Sequence, residues 1–236
     1  MTEPERDPGQ PPDFAWIPES RGLAKLFLGA TKRQEARAGR SLRVFVFSWG
    51  VSWIDGAEEI SAGWHEVTHV WRAITRHYAN GSPTYTDYRY TLRLADGRYR
   101  SFRGALPARR ARASGAVRLR PTPGVTTRVT IEQLGRLLET GVTRAQLPEA
   151  IDRFNAGQAV AFGPLALSVG GIAAGGQSLP WSEIEGVQIR KGVVSVRKSG
   201  KLRAWKRAQV SQIPNYPLFD ALVRANLRRP PSTAGR

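Results

Sequence analysis

Two short stretches with the same pattern, Trp64-His65-Glu66-Val67 and Trp181-Ser182-Glu183-Ile184, stand one in each half of this 236-residue chain. Downstream of each, apolar residues recur at every second position, which is typical of a half-buried β-strand. The strands lead into turns at Ala95-Asp96-Gly97 and Ser199-Gly200, where glycine supplies the positive φ that a tight hairpin needs. A third pair of similar segments precedes the two tryptophans. Landmarks in the same order predict an internal duplication of one antiparallel β-unit.

The two hairpins can also be compared position by position. When Gly97 is set against Gly200, basic and apolar residues coincide along the returning strands, and Phe102 falls on Trp205. The comparison predicts that these two aromatic residues occupy equivalent places in the two units.

Helical periodicity replaces the period of two after each unit. Thr130-Ile131-Glu132-Gln133 is a capping box, and Gly141 is placed to end the helix predicted over 130–140. A connecting helix is predicted over 142–157, with Pro148 in its first turn. An apolar stripe predicts a further helix over 217–227.

With strands and then a helix in each half, the chain resembles an uncharacterised bacterial family of tandem pleckstrin-homology-like (PH-like) domains. The motifs that carry the resemblance are 64–67, 80–81 and 95–97 in the first half, and 162–165, 179–187 and 193–200 in the second. The resemblance covers residues 40–227. It implies a mainly β fold with helices, built from two PH-like antiparallel β-barrel or sandwich units, each followed by a capping amphipathic helix. It also implies a binding or scaffold module without catalysis and without a cofactor.

The domain boundaries follow from this resemblance and from composition. The first PH-like domain is expected over 21–141, with an Arg-rich insertion at 104–128, and the second over 158–227. Proline-rich ends without periodicity predict disordered tails at 1–20 and 228–236.

Composition indicates a compartment and a class of ligand. Cysteine is absent, and the chain shows neither an export signal nor an apolar run long enough to cross a membrane, so a cytoplasmic protein is expected. A peripheral place at the inner membrane face is the alternative. The net charge of +17 attracts phosphate, although codon bias in a GC-rich genome would also enrich arginine.

The basic residues beside two hairpin turns of the second unit are the predicted anion-binding candidates. They are Arg190, Lys191, Lys198, Lys201 and Arg203. The expected partner is a protein or an anionic lipid surface. A second hypothesis is non-specific binding of nucleic acid by the Arg-rich segment, with Arg109, Arg110 and Arg112 at its centre.

A third hypothesis is a zinc hydrolase, because His65-Glu66-Val67-Thr68-His69 matches the motif H-E-x-x-H. The motif requires a helix, whereas a strand would point Glu66 away from both histidines. The corresponding segment after Trp181 favours a strand. Trp64, Glu66, Trp181 and Glu183 are therefore predicted to form a structural hinge in each unit, and no metal site is predicted.

Overall fold

The computed structural model describes residues 26–29, 43–55, 57–108, 127–128 and 130–228. The predicted tails, apart from Arg228, lie outside these residues. So does most of the Arg-rich insertion, including Arg109, Arg110 and Arg112.

The first half contains two antiparallel meanders and a long helix. The first meander consists of β1 (Leu26–Gly29), β2 (Arg43–Val46), β3 (Gly50–Asp55) and β4 (Glu58–Gly63). A 3₁₀ turn, Trp64–Glu66, leads to β5 (Val67–Ala79), β6 (Ser82–Leu94) and β7 (Tyr99–Pro107). The short β8 (Thr127–Arg128) then pairs in parallel with β1, and helix α1 (Ile131–Asn155) follows.

The second half repeats the order of four strands, a 3₁₀ turn and three strands, and most of its strands are shorter. Its first meander consists of β9 (Val160–Phe162), β10 (Leu165–Ser168), β11 (Gly171–Ala174) and β12 (Gln177–Pro180). A 3₁₀ turn, Trp181–Glu183, leads to β13 (Ile184–Arg190), β14 (Val193–Lys198) and β15 (Ala204–Gln209). Another 3₁₀ turn, Val210–Gln212, precedes helix α2 (Tyr216–Leu227).

The prediction of a mainly β protein with helices is confirmed, but closed barrels are not found. The strands of the described residues form four separate sheets, in the orders β4-β3-β2-β1-β8, β5-β6-β7, β12-β11-β10-β9 and β13-β14-β15. In each half the 3₁₀ turn carries the chain from the last strand of one sheet to the first strand of the next. These two strands belong to different sheets, so no hydrogen-bond ladder joins the sheets into a barrel.

The Asp96-Gly97 hairpin is confirmed, but the predicted match between Phe102 and Trp205 is wrong. Phe102 lies opposite Tyr90, whereas the residue opposite the corresponding buried Val194 is Ala208. A bulge between Val196 and Arg197 shifts the register of the second hairpin. Equal spacing from the turn therefore does not give equal places in the sheet.

Helix α1 is one continuous helix, so the predicted break at Gly141 is wrong. Its start is confirmed, because Thr130 and Gln133 form the reciprocal capping-box hydrogen bonds. Gly141 is in the helix for a different reason: a Cβ there would lie 2.5 Å from the ring of Trp64. The glycine thus permits close packing. Pro148 lies inside the helix, and not in the first turn of a second one.

The continuous helix contributes to two hydrophobic cores. Ile131, Leu134, Leu138 and Val142 pack in the core of the first half, with Val70, Leu92 and Phe102 among its other members. Ala150 and Phe154, near the other end of the helix, belong to the core of the second half. One helix therefore serves both halves. Within the described residues, no helix is long and apolar enough to cross a membrane.

Asn215 joins the two halves through a buried group of hydrogen bonds. Its Oδ1 accepts from the N–H of Val70 at 2.7 Å, and its Nδ2 donates to the carbonyl of Thr68 at 2.9 Å and to Oε1 of Gln146 at 2.6 Å. The N–H of Asn215 also donates to the carbonyl of Val70. Its φ of 50° lies in the left-handed region, which asparagine tolerates better than most residues. The first turn of α2 is thereby bound to β5.

Two buried tyrosines beside this junction predict a loss of stability at alkaline pH. Burial, with smaller effects of nearby carboxylates, raises the pKa of Tyr216 to about 12 and raises the pKa of Tyr90 as well. Near pH 10, the ordinary pKa of tyrosine, the phenols begin to ionise in the unfolded chain but stay protonated in the folded protein. Their contribution to the free energy of unfolding is complete below pH 10, and it is lost as the pH rises toward and through the pKa values of the folded protein. Tyr216→Phe should make the free energy of unfolding fall less steeply between pH 10 and 12 in urea titrations; an equally steep fall would contradict this assignment.

Candidate functional site

The Trp-x-Glu stretches lie where the chain passes between the two sheets of each half. Nε1 of Trp64 donates to the carbonyl of Ser48, and Nε1 of Trp181 donates to the carbonyl of Ser168. The two glutamates differ. Glu66 accepts the N–H of Gly63 at 2.6 Å, whereas Glu183 forms an ion pair with Lys198 at 2.5 Å.

The zinc motif does not have the geometry of a chelate. Residues 67–79 form strand β5, as the comparison between the two halves predicted, and His65 lies in the preceding 3₁₀ turn. His69 instead stacks on Trp71, with ring centroids 5.1 Å apart. Asp87, a potential third ligand, is bonded to His77 farther along the sheet. In the described parts of the chain, no three metal-ligating side chains cluster.

The predicted anion-binding residues do not form one site. Arg190 and Lys191 lie at the β13–β14 turn, whereas Lys198, Lys201 and Arg203 lie at or beyond the opposite end of β14. The six residues of β14 separate the two groups by about 20 Å. Lys198 is also neutralised in part by Glu183.

A different basic surface lies on the sheet β5-β6-β7. Tyr90, Leu92 and Phe102 are buried on one side of this sheet, so their neighbours along each strand project from the opposite side. This second side, which we call the outer face, carries the exposed Arg89, Arg93 and Arg103. A hydrogen bond of 2.8 Å between the hydroxyls of Thr91 and Ser101 lies on the same face.

Two arginines of the outer face are direct cross-strand neighbours. Arg89 of β6 is opposite Arg103 of β7, and like charges in such a pair repel each other. Within the part of the chain that the structure describes, neither guanidinium has a carboxylate within ion-pair distance. The pair therefore presents ten N–H bonds in two planar groups for an anion to accept.

Aromatic rings flank the arginine pair. Trp71 stacks between His69 and the Tyr99 ring, whose centroid is 6.1 Å from that of Trp71, and the Arg93 guanidinium lies over Tyr99. Partial burial, and then the charge of Arg93, lowers the pKa of His69 below its ordinary value. Toward the hairpin tip, His77 and Tyr85 stack at 4.1 Å.

The outer face is not predicted from the sequence. Arg89, Thr91 and Arg93 alternate with apolar residues, and this pattern indicates only a half-buried strand. The opposition of Arg89 and Arg103 depends on strand register.

Residues 127–232 match the model of a family of unknown function, DUF6585. This region includes α1 and the whole second half, and it does not include the outer face. No curated protein matches the chain. Over residues 127–232 the chain is therefore similar to a family whose description states no activity.

Proposed function

We propose that this protein is a non-catalytic binding protein composed of two PH-like units, and that its outer face binds phosphate-bearing polyanions. Four strands, a 3₁₀ turn and three strands occur in this order in both halves, and a helix comes later in each, after β8 in the first half and after a 3₁₀ turn in the second; this order supports both the PH-like likeness and a duplication. The binding of a protein partner remains a prediction from the resemblance alone.

The opposition of Arg89 and Arg103 is the observation that carries the proposal. Like charges placed directly opposite each other in a sheet reduce stability, so folding alone does not favour this pair. A phosphate between the two guanidiniums would remove the repulsion and accept hydrogen bonds from both. A binding role thus explains an arrangement that is unfavourable for the free protein.

The proposal predicts opposite effects of Arg103→Gln on binding and on stability. Loss of one charge-assisted contact should weaken binding to inorganic polyphosphate about tenfold or more. Loss of the repulsion should raise the free energy of unfolding by up to about 1 kcal/mol. Calorimetric titration with polyphosphate and urea unfolding measure the two effects.

Arg207→Gln is the matched control for Arg103→Gln. Arg207 is exposed on β15 opposite Ser195, on the corresponding side of the second three-stranded sheet, and its loss changes the net charge equally. We expect it to leave polyphosphate affinity nearly unchanged. Equal weakening by both variants would mean that only the total charge matters, and the proposal would fail. Vesicles with and without anionic lipid, tested with the same variants, show whether the phosphates of a lipid surface are bound as well.

A further inference from the structure

The aromatic rings of the outer face are not explained by binding of phosphate alone. Tyr99 is 62% exposed although its ring packs beside Trp71. An exposed ring of this size gains little from folding, and a bare phosphate chain offers nothing that would stack on it. A second group on the ligand, one with a flat unsaturated surface, would use it.

The second half shows that the fold does not require these rings. The corresponding side of the β13-β14-β15 sheet carries Arg190, Arg197 and Arg207, with Gln188 and Ser195 between them. These positions hold no aromatic residue. Two sheets of the same topology are therefore both basic on this side, but only the outer face of the first combines arginines with stacked rings.

The arrangement on the outer face is extended along the strands. One ring group contains Trp71 and the other contains His77, six residues farther along β5, which corresponds to about 20 Å. The Arg89–Arg103 pair lies between them, because Arg89 is opposite Ala73. The order along the outer face is therefore rings, the two arginines, the Asp87 carboxylate that is bonded to His77, and rings again, over a length that suits several linked residues of a polymer.

We infer that the outer face binds single-stranded nucleic acid, with phosphates at Arg89 and Arg103 and bases stacked on Tyr99 and on the rings at the tip. This inference rests on the proposed function and specifies its ligand. Bases of a single strand can lie flat on aromatic side chains, whereas the bases of a duplex are already stacked and paired inside it. Stacking on rings is insensitive to sequence, so little preference among bases is expected.

The inference is tested with two labelled oligomers of equal length and charge, an oligothymidylate and its abasic counterpart, by fluorescence anisotropy on the full chain. A stacked base contributes enough to change affinity at least about fivefold, so the oligothymidylate should bind at least that much more tightly. Tyr99→Ala should reduce this difference, since it removes one of the two groups of rings on which bases stack, and should leave the abasic affinity unchanged. Tyr99→Phe keeps the ring and should bind like the unaltered protein. Tyr99 is exposed, so neither variant should unfold the sheet, and thermal unfolding checks this.

The outcomes separate the inference from the proposal on which it rests. If both oligomers bound with equal affinity and Tyr99→Ala changed neither affinity, the inference would be overturned. The proposed function would still stand if Arg103→Gln weakened both complexes. If Arg103→Gln weakened neither complex, both the inference and the proposed function would fail. A third result would be that the protein binds anionic vesicles more tightly than the oligothymidylate, with Tyr99→Ala weakening its binding to the vesicles. That result would also overturn the inference, in favour of a lipid surface.

Discussion

Asn215→Ala should lower the free energy of unfolding by about 2–5 kcal/mol. The substitution leaves the buried N–H of Val70 without its acceptor at 2.7 Å, which costs about 1–3 kcal/mol. It also places alanine at a φ of 50°, which adds about 1–2 kcal/mol. Urea unfolding followed by tryptophan fluorescence and circular dichroism measures the loss.

Asn80→Ala separates the backbone contribution from the hydrogen bonds. Asn80 has the same φ of 50° but is exposed at the tip of the β5–β6 hairpin. We expect Asn80→Ala to lower the free energy of unfolding by only about 1–2 kcal/mol, which is what a positive φ costs alanine. If Asn80→Ala and Asn215→Ala were equally destabilised, the hydrogen bonds of Asn215 would contribute nothing net.

The hydrogen bonds between Asn215 and β5 also affect the outer face. Val70, which Asn215 binds, is the neighbour of Trp71 on β5, and the two side chains project from opposite sides of the strand. The second half therefore fixes the backbone on which one of the proposed base-stacking groups stands.

Gly135→Ala should destabilise the protein by about 1–3 kcal/mol, although the same change in an isolated helix would stabilise it by about 1 kcal/mol. A Cβ at position 135 would lie 1.8 Å from the ring of Tyr90. That ring is buried between the helix and the sheet, so it cannot turn away. Thermal and urea unfolding give the sign of the change.

A double-mutant cycle with Tyr90→Leu tests the cause. Tyr90→Leu alone should destabilise the protein, because it removes part of a buried ring. In that background Gly135→Ala should cost little or become stabilising, since the atoms that it meets are gone. A cost that stayed the same in both backgrounds would show that the close approach to Tyr90 is not the reason for the glycine.

Local interactions explain why several elements could be predicted from sequence. The capping box at Thr130 and the Asp96-Gly97 turn involve residues only a few positions apart. The strand at residues 67–79 followed from comparison with the second half. Such features depend on backbone preferences and short-range hydrogen bonds that each segment carries with it.

Gly141 shows where sequence reasoning reached its limit. A glycine after an apolar helical stripe is a usual stop signal, and only the position of Trp64, far away in the chain, shows that it permits a close contact. The Phe102 comparison failed for a related reason, because a bulge changes register without an obvious mark in the sequence.

By itself, the sequence determined the β-rich character, the order of strands and helices in each half, and the excess of positive charge. Only the tertiary structure decided which charges act together. It separated Arg190 and Lys191 from Lys198, and it set Arg89 opposite Arg103. Cross-strand neighbours are defined by register, which long-range hydrogen bonds and packing fix together, so residues of one strand cannot reveal their partners on the next.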